Sequence, residues 1–234
     1  METGMIIDRQ DLYFLLACKG CKSCPAFFEP EDKGSSREIL ERLYRTGWIE
    51  NTGKRFRVEK IMARAVEQIS GSARTIGMCH GNRKKELVFL YPGETVLAVQ
   101  EVSRRKHMLR LTFLERCGLK TYLEEQGLLG EDESWEPLPY TAGMGSILPE
   151  QITRRSDLEG YPWIRLLALV SESGSERTEK RIGIIRNRFR EEIVLETFPG
   201  EKPELEPYTE ERFLERLLDE WDEVREKAAK GDKT

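Results

Sequence analysis

The sequence predicts an α+β fold with antiparallel β-meanders and flanking helices, internally duplicated as two halves in a quasi-two-fold arrangement. Helical spacing of apolar residues gives way to strand-like alternation from Ala73 onward. Residues 76–94 and 182–201 share a pattern: Ile-Gly, two apolar residues, an Asn-Arg pair and a closing aromatic-Pro-Gly-Glu. The tetrapeptide Phe-Leu-Glu-Arg follows each copy, starting at Phe113 and at Phe213. These echoes predict the internal duplication.

Three helices are predicted before the first repeat. Residues 8–19 carry a stripe of leucines, with Asp8 placed to cap the helix start. A second helix follows Ser35 or Ser36 and ends before Gly47, a typical C-terminal glycine. The third runs over residues 58–69, and its broad apolar face predicts burial. Residues 48–54, between the last two helices, are predicted to form a sharp turn.

The remaining chain is predicted as two meanders separated by a connection. Residues 73–79, 86–91, 95–102 and 107–113 alternate in polarity and predict about four strands. A helix over residues 114–129 is broken at Gly118. Residues 163–171, 180–188 and 192–198 predict the second meander, with a short strand at 204–208. Thr209 then caps a long final helix with an apolar stripe.

These elements divide the chain into an N-terminal half (1–130), a Pro/Gly-rich connection (131–162) and a C-terminal half (163–234), packed as one unit. Residues 149–158 of the connection are predicted to hold a short helix. Helices segregated to one face of antiparallel sheets define the α+β class.

Composition excludes several classes of protein. Of the 234 residues, 38% are hydrophobic and 34% charged, which is typical of a folded domain. The net charge of −4 gives no overall attraction to nucleic acid or to an anionic membrane. The longest apolar run, residues 166–170, is far below the roughly 20 residues that span a bilayer. Five cysteines, an odd number, and the lack of a secretory signal predict a reducing, cytoplasmic location.

One cysteine motif has the spacing of a metal site. Cys18, Cys21 and Cys24 are each separated by two residues, and Pro25 follows. An iron–sulfur cluster or a zinc ion would need a fourth ligand, which Cys79 or Cys117 could supply in space. Cysteine also packs well as a small hydrophobic residue. Because the ligand set is incomplete, packing is favoured, and no metal or cofactor is predicted.

Basic clusters permit a second function, DNA binding by a winged helix. Helix 58–69 would enter the major groove with Arg57, Lys60 and Arg64, and the hairpin tip at residues 83–85 would contact phosphates. The acidic net charge and the strands that continue beyond the supposed wing count against it. A nucleic-acid partner is therefore disfavoured.

No catalytic constellation is present in the sequence. The two histidines, His80 and His107, lie at predicted strand ends without a nucleophile motif beside them. The glycine-rich residues 143–146 lack the lysine of a P-loop. The sequence therefore predicts a protein that is not an enzyme, with no catalytic residues.

The order of elements resembles a known family. A helix leads to a helix–glycine–turn–helix segment through Gly47, then to a meander and helix, and then to a second sheet-plus-helix half. This order is similar to that of the EspG kind of proteins associated with ESX (type VII) secretion. The resemblance implies a quasi-two-fold α+β fold and a cytosolic, non-enzymatic chaperone or adaptor that binds small helical-hairpin secretion substrates. It transfers no binding residue, and the exposed ends of the duplicated hairpins would be the first places to look. A winged-helix regulator and a cysteine-based metal protein are the alternatives.

Overall fold

An antiparallel sheet of nine strands organises the residues that the computed structural model describes, which are 4–21, 34–53, 55–80, 87–102, 105–130, 164–172, 178–186, 191–197 and 203–231. A separate two-stranded hairpin, β2–β3, lies outside this sheet. In chain order the strands are β1 (Met5–Asp8), β2 (Ile49–Asn51), β3 (Phe56–Val58), β4 (Arg74–His80), β5 (Leu87–Tyr91), β6 (Val96–Val102), β7 (Arg105–Leu114), β8 (Ile164–Glu172), β9 (Thr178–Arg186), β10 (Glu191–Thr197) and β11 (Glu204–Pro207).

Helices cover both faces of the nine-stranded sheet. They are α1 (Arg9–Cys18), α2 (Ser36–Arg45), α3 (Lys60–Gly71), α4 (Leu119–Glu125) and α5 (Glu210–Gly231), with a 3₁₀ turn at Arg116–Gly118. Helices α1–α3 share one core with the first face, and α4 and α5 share another with the second face. The prediction that the helices lie on one face is therefore wrong.

Strand β6 shows why both faces need a cover. Its residues Leu97 and Val99 belong to the first-face core, whereas Val96 and Ala98 belong to the second-face core. All four side chains are fully buried. A strand covered on both sides is apolar at every position rather than at every second one, and helices on both faces satisfy that pattern.

The sheet joins the two predicted halves of the chain. Its strand order is β1-β7-β6-β5-β4-β8-β9-β10-β11, and each neighbouring pair is antiparallel. The central pair is β4 with β8, in register from Arg74 opposite Glu172 to His80 opposite Leu166. One continuous sheet therefore contains strands from both halves.

The repeated stretches occupy different positions in this sheet. Strands β4 and β5, from the first copy, are the middle strand of the nine and its neighbour, whereas β9 and β10, from the second, lie two and three strands from β4. Phe113 lies in β7, but Phe213 lies inside α5. Because the copies are not in equivalent places, the internal duplication stays a prediction.

Local sequence signals fix several element boundaries as expected. The Asp8 carboxylate accepts a hydrogen bond from the Gln10 amide at 2.9 Å, which caps α1. The third helix differs from its prediction: it begins at Lys60, because Val58 belongs to β3 and the Glu59 carboxylate caps the helix. The segment predicted as a turn contains β2, and Gly53, with φ +84°, makes the turn to β3.

Two buried ion clusters fasten helices in place. Asp11 in α1 accepts hydrogen bonds from Arg42 in α2, the shortest 2.6 Å. Burial raises the pKa of Asp11, and the Arg42 charge opposes that rise. On the second face, Glu220 of α5 accepts from Arg74 of β4 at 2.7 Å and from Lys180 of β9 at 2.8 Å. The second cluster ties the long final helix to strands from both halves.

Several predicted features lie outside the described residues. These are the connection over residues 131–162 with its helix at 149–158, the two Asn-Arg turns at 82–83 and 187–188, and Cys24. The division into halves and connection therefore stays a prediction.

Candidate functional site

An exposed apolar groove lies between α2 and the β2–β3 hairpin. It encloses about 470 Å³ and is lined by Arg37, Leu40, Glu41, Tyr44, Asn51 and Phe56, which together we call the aromatic groove. Tyr44 is 59% exposed and Phe56 is 54% exposed. Exposed aromatic side chains that converge on one concave surface mark a site of protein or ligand contact.

Helical spacing explains how this groove forms. Ile39 and Leu43 point inward and are buried, so Leu40 and Tyr44, each one position further along, lie on the adjacent side of α2. Phe56 stands opposite Asn51 in the hairpin register. The charged residues that line the groove are Arg37 and Glu41, which form an ion pair at 3.0 Å, so their charges cancel. The groove is therefore suited to apolar side chains and does not select for charge.

A second, larger concavity lies between the end of β7 and α4. This arginine cleft encloses about 740 Å³, and its lining includes Ile6, Arg64, Arg110, Thr112, Tyr122 and Glu125. The sheet supplies Ile6, Arg110 and Thr112, whereas α3 and α4 supply the others. Its volume falls within the roughly 300–1,000 Å³ of ligand sites.

Two polar groups of the arginine cleft, Arg64 and Tyr122, are held in fixed positions. Arg64 donates a hydrogen bond to the Thr95 hydroxyl at 2.9 Å, and its guanidinium carbon lies 4.3 Å from the centroid of the Phe113 ring. The Tyr122 hydroxyl donates to the Gln100 side-chain oxygen at 2.7 Å. Burial raises the pKa of Tyr122, so the phenol stays protonated at neutral pH. Arg64 and Tyr122 thus form fixed polar parts of the cleft wall.

The cysteines of the predicted metal motif have different environments. Cys18 is exposed at the end of α1, and Cys21 is half-buried against the first-face core. Cys79, offered as a further ligand, is buried in β4, and Cys117 is exposed beside α4. Among the described residues, no three His, Cys, Asp or Glu side chains are grouped so that they could hold a metal ion. Cys21 packs against the core, whereas Cys24 lies outside the described residues, so the absence of a metal at this motif stays a prediction.

The basic residues of the winged-helix alternative do not form that arrangement. Helix α3 buries Met62, Ala65 and Val66 against the sheet. Strands β4 and β5, the supposed wing, lie in the interior of the nine-stranded sheet. Arg57 and Lys60 are exposed, and the tip at residues 83–85 lies outside the described residues. A wing needs a free hairpin, and these strands are paired on both sides.

The two histidines are also separated. His80 is buried at the end of β4, and His107 is exposed on β7. No helix in the described part of the chain combines the length and apolar character needed to cross a bilayer.

Sequence reasoning missed both concave surfaces. Tyr44 lies one position beyond the inward stripe of Ile39 and Leu43, and that offset is the sequence signal for an exposed aromatic residue on α2. Nothing in the sequence indicated that Arg110 lines a cleft, because an arginine in a strand of alternating polarity usually points into solvent.

Comparison with known proteins identifies a likeness of fold. No protein-family pattern matches the sequence. No curated protein matches it either. Among solved structures, the chain is similar to the Mycobacterium tuberculosis type VII secretion system chaperone EspG5, whose structure was determined in complex with a PE25–PPE41 dimer. The match covers 91% of this chain and 93% of that chain, with a TM-score of 0.50 and 9% sequence identity. At this identity the similarity shows a shared α+β fold alone.

Proposed function

We propose that this protein is a non-enzymatic, cytoplasmic chaperone or adaptor that binds a small helical-hairpin secretion substrate. The aromatic groove is the observation that carries the proposal, because Tyr44 and Phe56 expose apolar surface on a concavity that an amphipathic helix can fill. The fold supports the choice of partner, since the EspG5 structure holds a chaperone bound to a PE25–PPE41 dimer.

The groove has the properties of an energetic anchor point. Leu40 packs against the first-face core and fixes the floor, so a partner would meet a surface that is already ordered. The minority of interface residues that each contribute more than about 1 kcal/mol are enriched in Tyr and other large side chains that become fully buried. Tyr44 and Phe56 supply two large aromatic side chains at one site. A partner helix with apolar residues at helical spacing would be shielded from water along that face.

The test is recovery of the partner from the native host. The tagged protein is purified under native conditions, and its co-purifying proteins are identified by mass spectrometry. We expect a helical-hairpin secretion protein in near-stoichiometric amount. The double variant Tyr44→Ser, Phe56→Ser should lower its recovery at least tenfold, because about 1.4 kcal/mol of lost binding energy already gives that factor.

The matched control is Glu38→Ser, an exposed residue on α2 that does not line the groove. It should leave recovery unchanged. Circular dichroism and thermal unfolding check that all three proteins fold alike. Failure to recover any helical-hairpin secretion protein with the unmodified chain would refute the proposal.

A further inference from the structure

We propose that the arginine cleft is a second docking site, which binds a segment of the protein partner that carries a carboxylate next to apolar side chains. The inference rests on the proposed function in one respect, that the ligand is part of a protein. It adds a charge-selective contact to the charge-neutral aromatic groove.

The first argument is that two guanidinium groups in the cleft lack a carboxylate. Within the described residues, Arg110 makes neither an ion pair nor a hydrogen bond, and the one hydrogen bond of Arg64 goes to the neutral Thr95 hydroxyl. Glu115 and Glu125 line the same cleft, yet neither pairs with these arginines. An incoming carboxylate would therefore meet two guanidinium groups that make no direct ion pair with a carboxylate of the described residues.

Contrast with other arginines strengthens this point. Arg42, Arg74 and Arg216 each pair with a carboxylate at 2.6–2.8 Å. These three arginines thus take a carboxylate partner from within the protein. In the arginine cleft, Arg64 and Arg110 pair with no carboxylate of the described residues, although Glu115 and Glu125 line the same cleft, so both guanidinium groups keep donors for the carboxylate of a ligand.

The second argument concerns how Arg110 is placed. Gly4 stands beside Arg110 and Thr112 at the sheet edge, and a Cβ at Gly4 would lie 3.1 Å from Arg110 Cγ and 3.1 Å from Thr112 Oγ1. The glycine leaves room for the aliphatic stem of Arg110 to lie against the backbone. A larger residue at position 4 would crowd the stem of this cleft-lining arginine.

The third argument is the apolar lining. Ile6 is 43% exposed at the cleft, and Phe113 and Leu114 line it from the end of β7. A ligand with an apolar side chain next to its carboxylate would bury this surface while it pairs with Arg110. Arg64 is already held by the Phe113 ring and by Thr95, so it would lose little side-chain freedom on binding.

A peptide fits this site better than an enclosed small molecule. Small-ligand sites bury about 70–90% of the ligand surface, whereas this cleft is only partly enclosed and is lined by four separate elements, β1, α3, β7 and α4. A partly enclosed surface of this kind contacts one side of an extended peptide segment and leaves the other side in solvent. The structure therefore favours a short acidic-apolar stretch of a larger chain.

The probe is a displayed library of random heptapeptides selected on the full chain. We expect enriched sequences to place Asp or Glu next to Leu, Ile or Phe. In fluorescence anisotropy, replacing that carboxylate by its amide should weaken binding of the enriched peptide at least tenfold. Arg110→Glu should do the same, and Ile6→Ser should weaken binding several-fold. Raising the salt concentration should weaken binding further, because the contact is an exposed charge pair.

Arg105→Glu is the matched control. Arg105 lies exposed on the same strand, does not line the cleft and undergoes the same change of charge. It should change the affinity less than twofold, and thermal unfolding should match across the variants. Selection without an acidic-apolar consensus, or a consensus peptide that binds Arg110→Glu as well as the unmodified chain, would overturn the inference.

The two proposals can fail separately. If the native host yields a helical-hairpin substrate but the library yields no acidic consensus, the cleft inference is wrong and the proposed function stands. If the library yields the consensus but the host yields no such substrate, the proposed function is wrong and the cleft still binds acidic peptides.

Discussion

Replacing Glu220 by glutamine tests whether the buried ion cluster holds α5 on the sheet. The Glu220 side chain is 7% exposed and accepts hydrogen bonds from Arg74 at 2.7 Å and Lys180 at 2.8 Å. Glutamine keeps the shape but removes the negative charge, so both cations lose their shared partner. Removing one member of a buried ion pair typically destabilises a protein by about 3–5 kcal/mol.

The expected loss lies near the lower end of that range. Glu179 remains 3.5 Å from Arg74, and Lys180 is partly exposed, so water and one carboxylate still solvate the two cations. We expect about 3 kcal/mol, which for a chain of this size lowers the unfolding midpoint by roughly 6–12 °C. Urea unfolding should show the same loss with an unchanged slope, because the surface exposed on unfolding is the same.

The neighbouring substitution Asp219→Asn is the control. Asp219 is 63% exposed and pairs with Arg216 at 3.9 Å on the same helix. Exposed pairs contribute about 0–1 kcal/mol, so this variant should unfold close to the unmodified protein. A loss below about 1 kcal/mol for Glu220→Gln, or an equal loss for both variants, would refute the reasoning, since the magnitude depends on burial.

Two further substitutions probe α5. Glu206 accepts two hydrogen bonds from Arg216, at 2.8 and 2.9 Å, and these lower the pKa of Glu206 below 4.5. The stabilisation is therefore present above pH 4.5 and is lost as pH falls through the folded-state pKa. Glu206→Gln should lower stability by up to about 1 kcal/mol at pH 7, and urea unfolding at lower pH should show the gap closing; a gap that widens in acid would contradict this. Leu217→Ala removes a fully buried side chain from the second-face core and should lower the free energy of unfolding by about 2–5 kcal/mol. Leu214 is half-buried, so Leu214→Ala should lower the free energy of unfolding by less in the same assay.

The sequence predicted most long elements because their patterns are local. Strands β6 and β7 and the hairpins β4–β5 and β9–β10 showed strand-like apolar runs, and Asp8 and Thr209 marked helix starts. Strand β1 was missed because its four residues precede a helix without a turn between them. Strands β2 and β3 were missed because each has three residues and exposes most of them. Short, polar strands give no periodicity to detect.

The arginine cleft could not be predicted, because it depends on residues distant in the chain. The arginine cleft brings Ile6 beside Arg110 and Tyr122, a juxtaposition created by the pairing of β1 with β7 and by the docking of α4. Similarly, the arrangement of helices on both faces depends on which strands are central. The repeat in the sequence did not reveal which strands are central, since the two copies lie at different distances from the centre of the sheet.

The pairing of β4 with β8 bears on how the chain is made. Arg74 of β4 pairs with Glu172 of β8, which is synthesised later. At typical synthesis rates the ribosome needs on the order of ten seconds to make the residues between them. Until β8 is made, any sheet that β4–β7 form has the seven-residue strand β4, with the apolar residues Ile76 and Met78, at its edge. An unpaired edge of this kind is a template for aggregation. Pairing with β8 removes this exposed edge, so the first effect of the C-terminal half is to protect the N-terminal strands from aggregation.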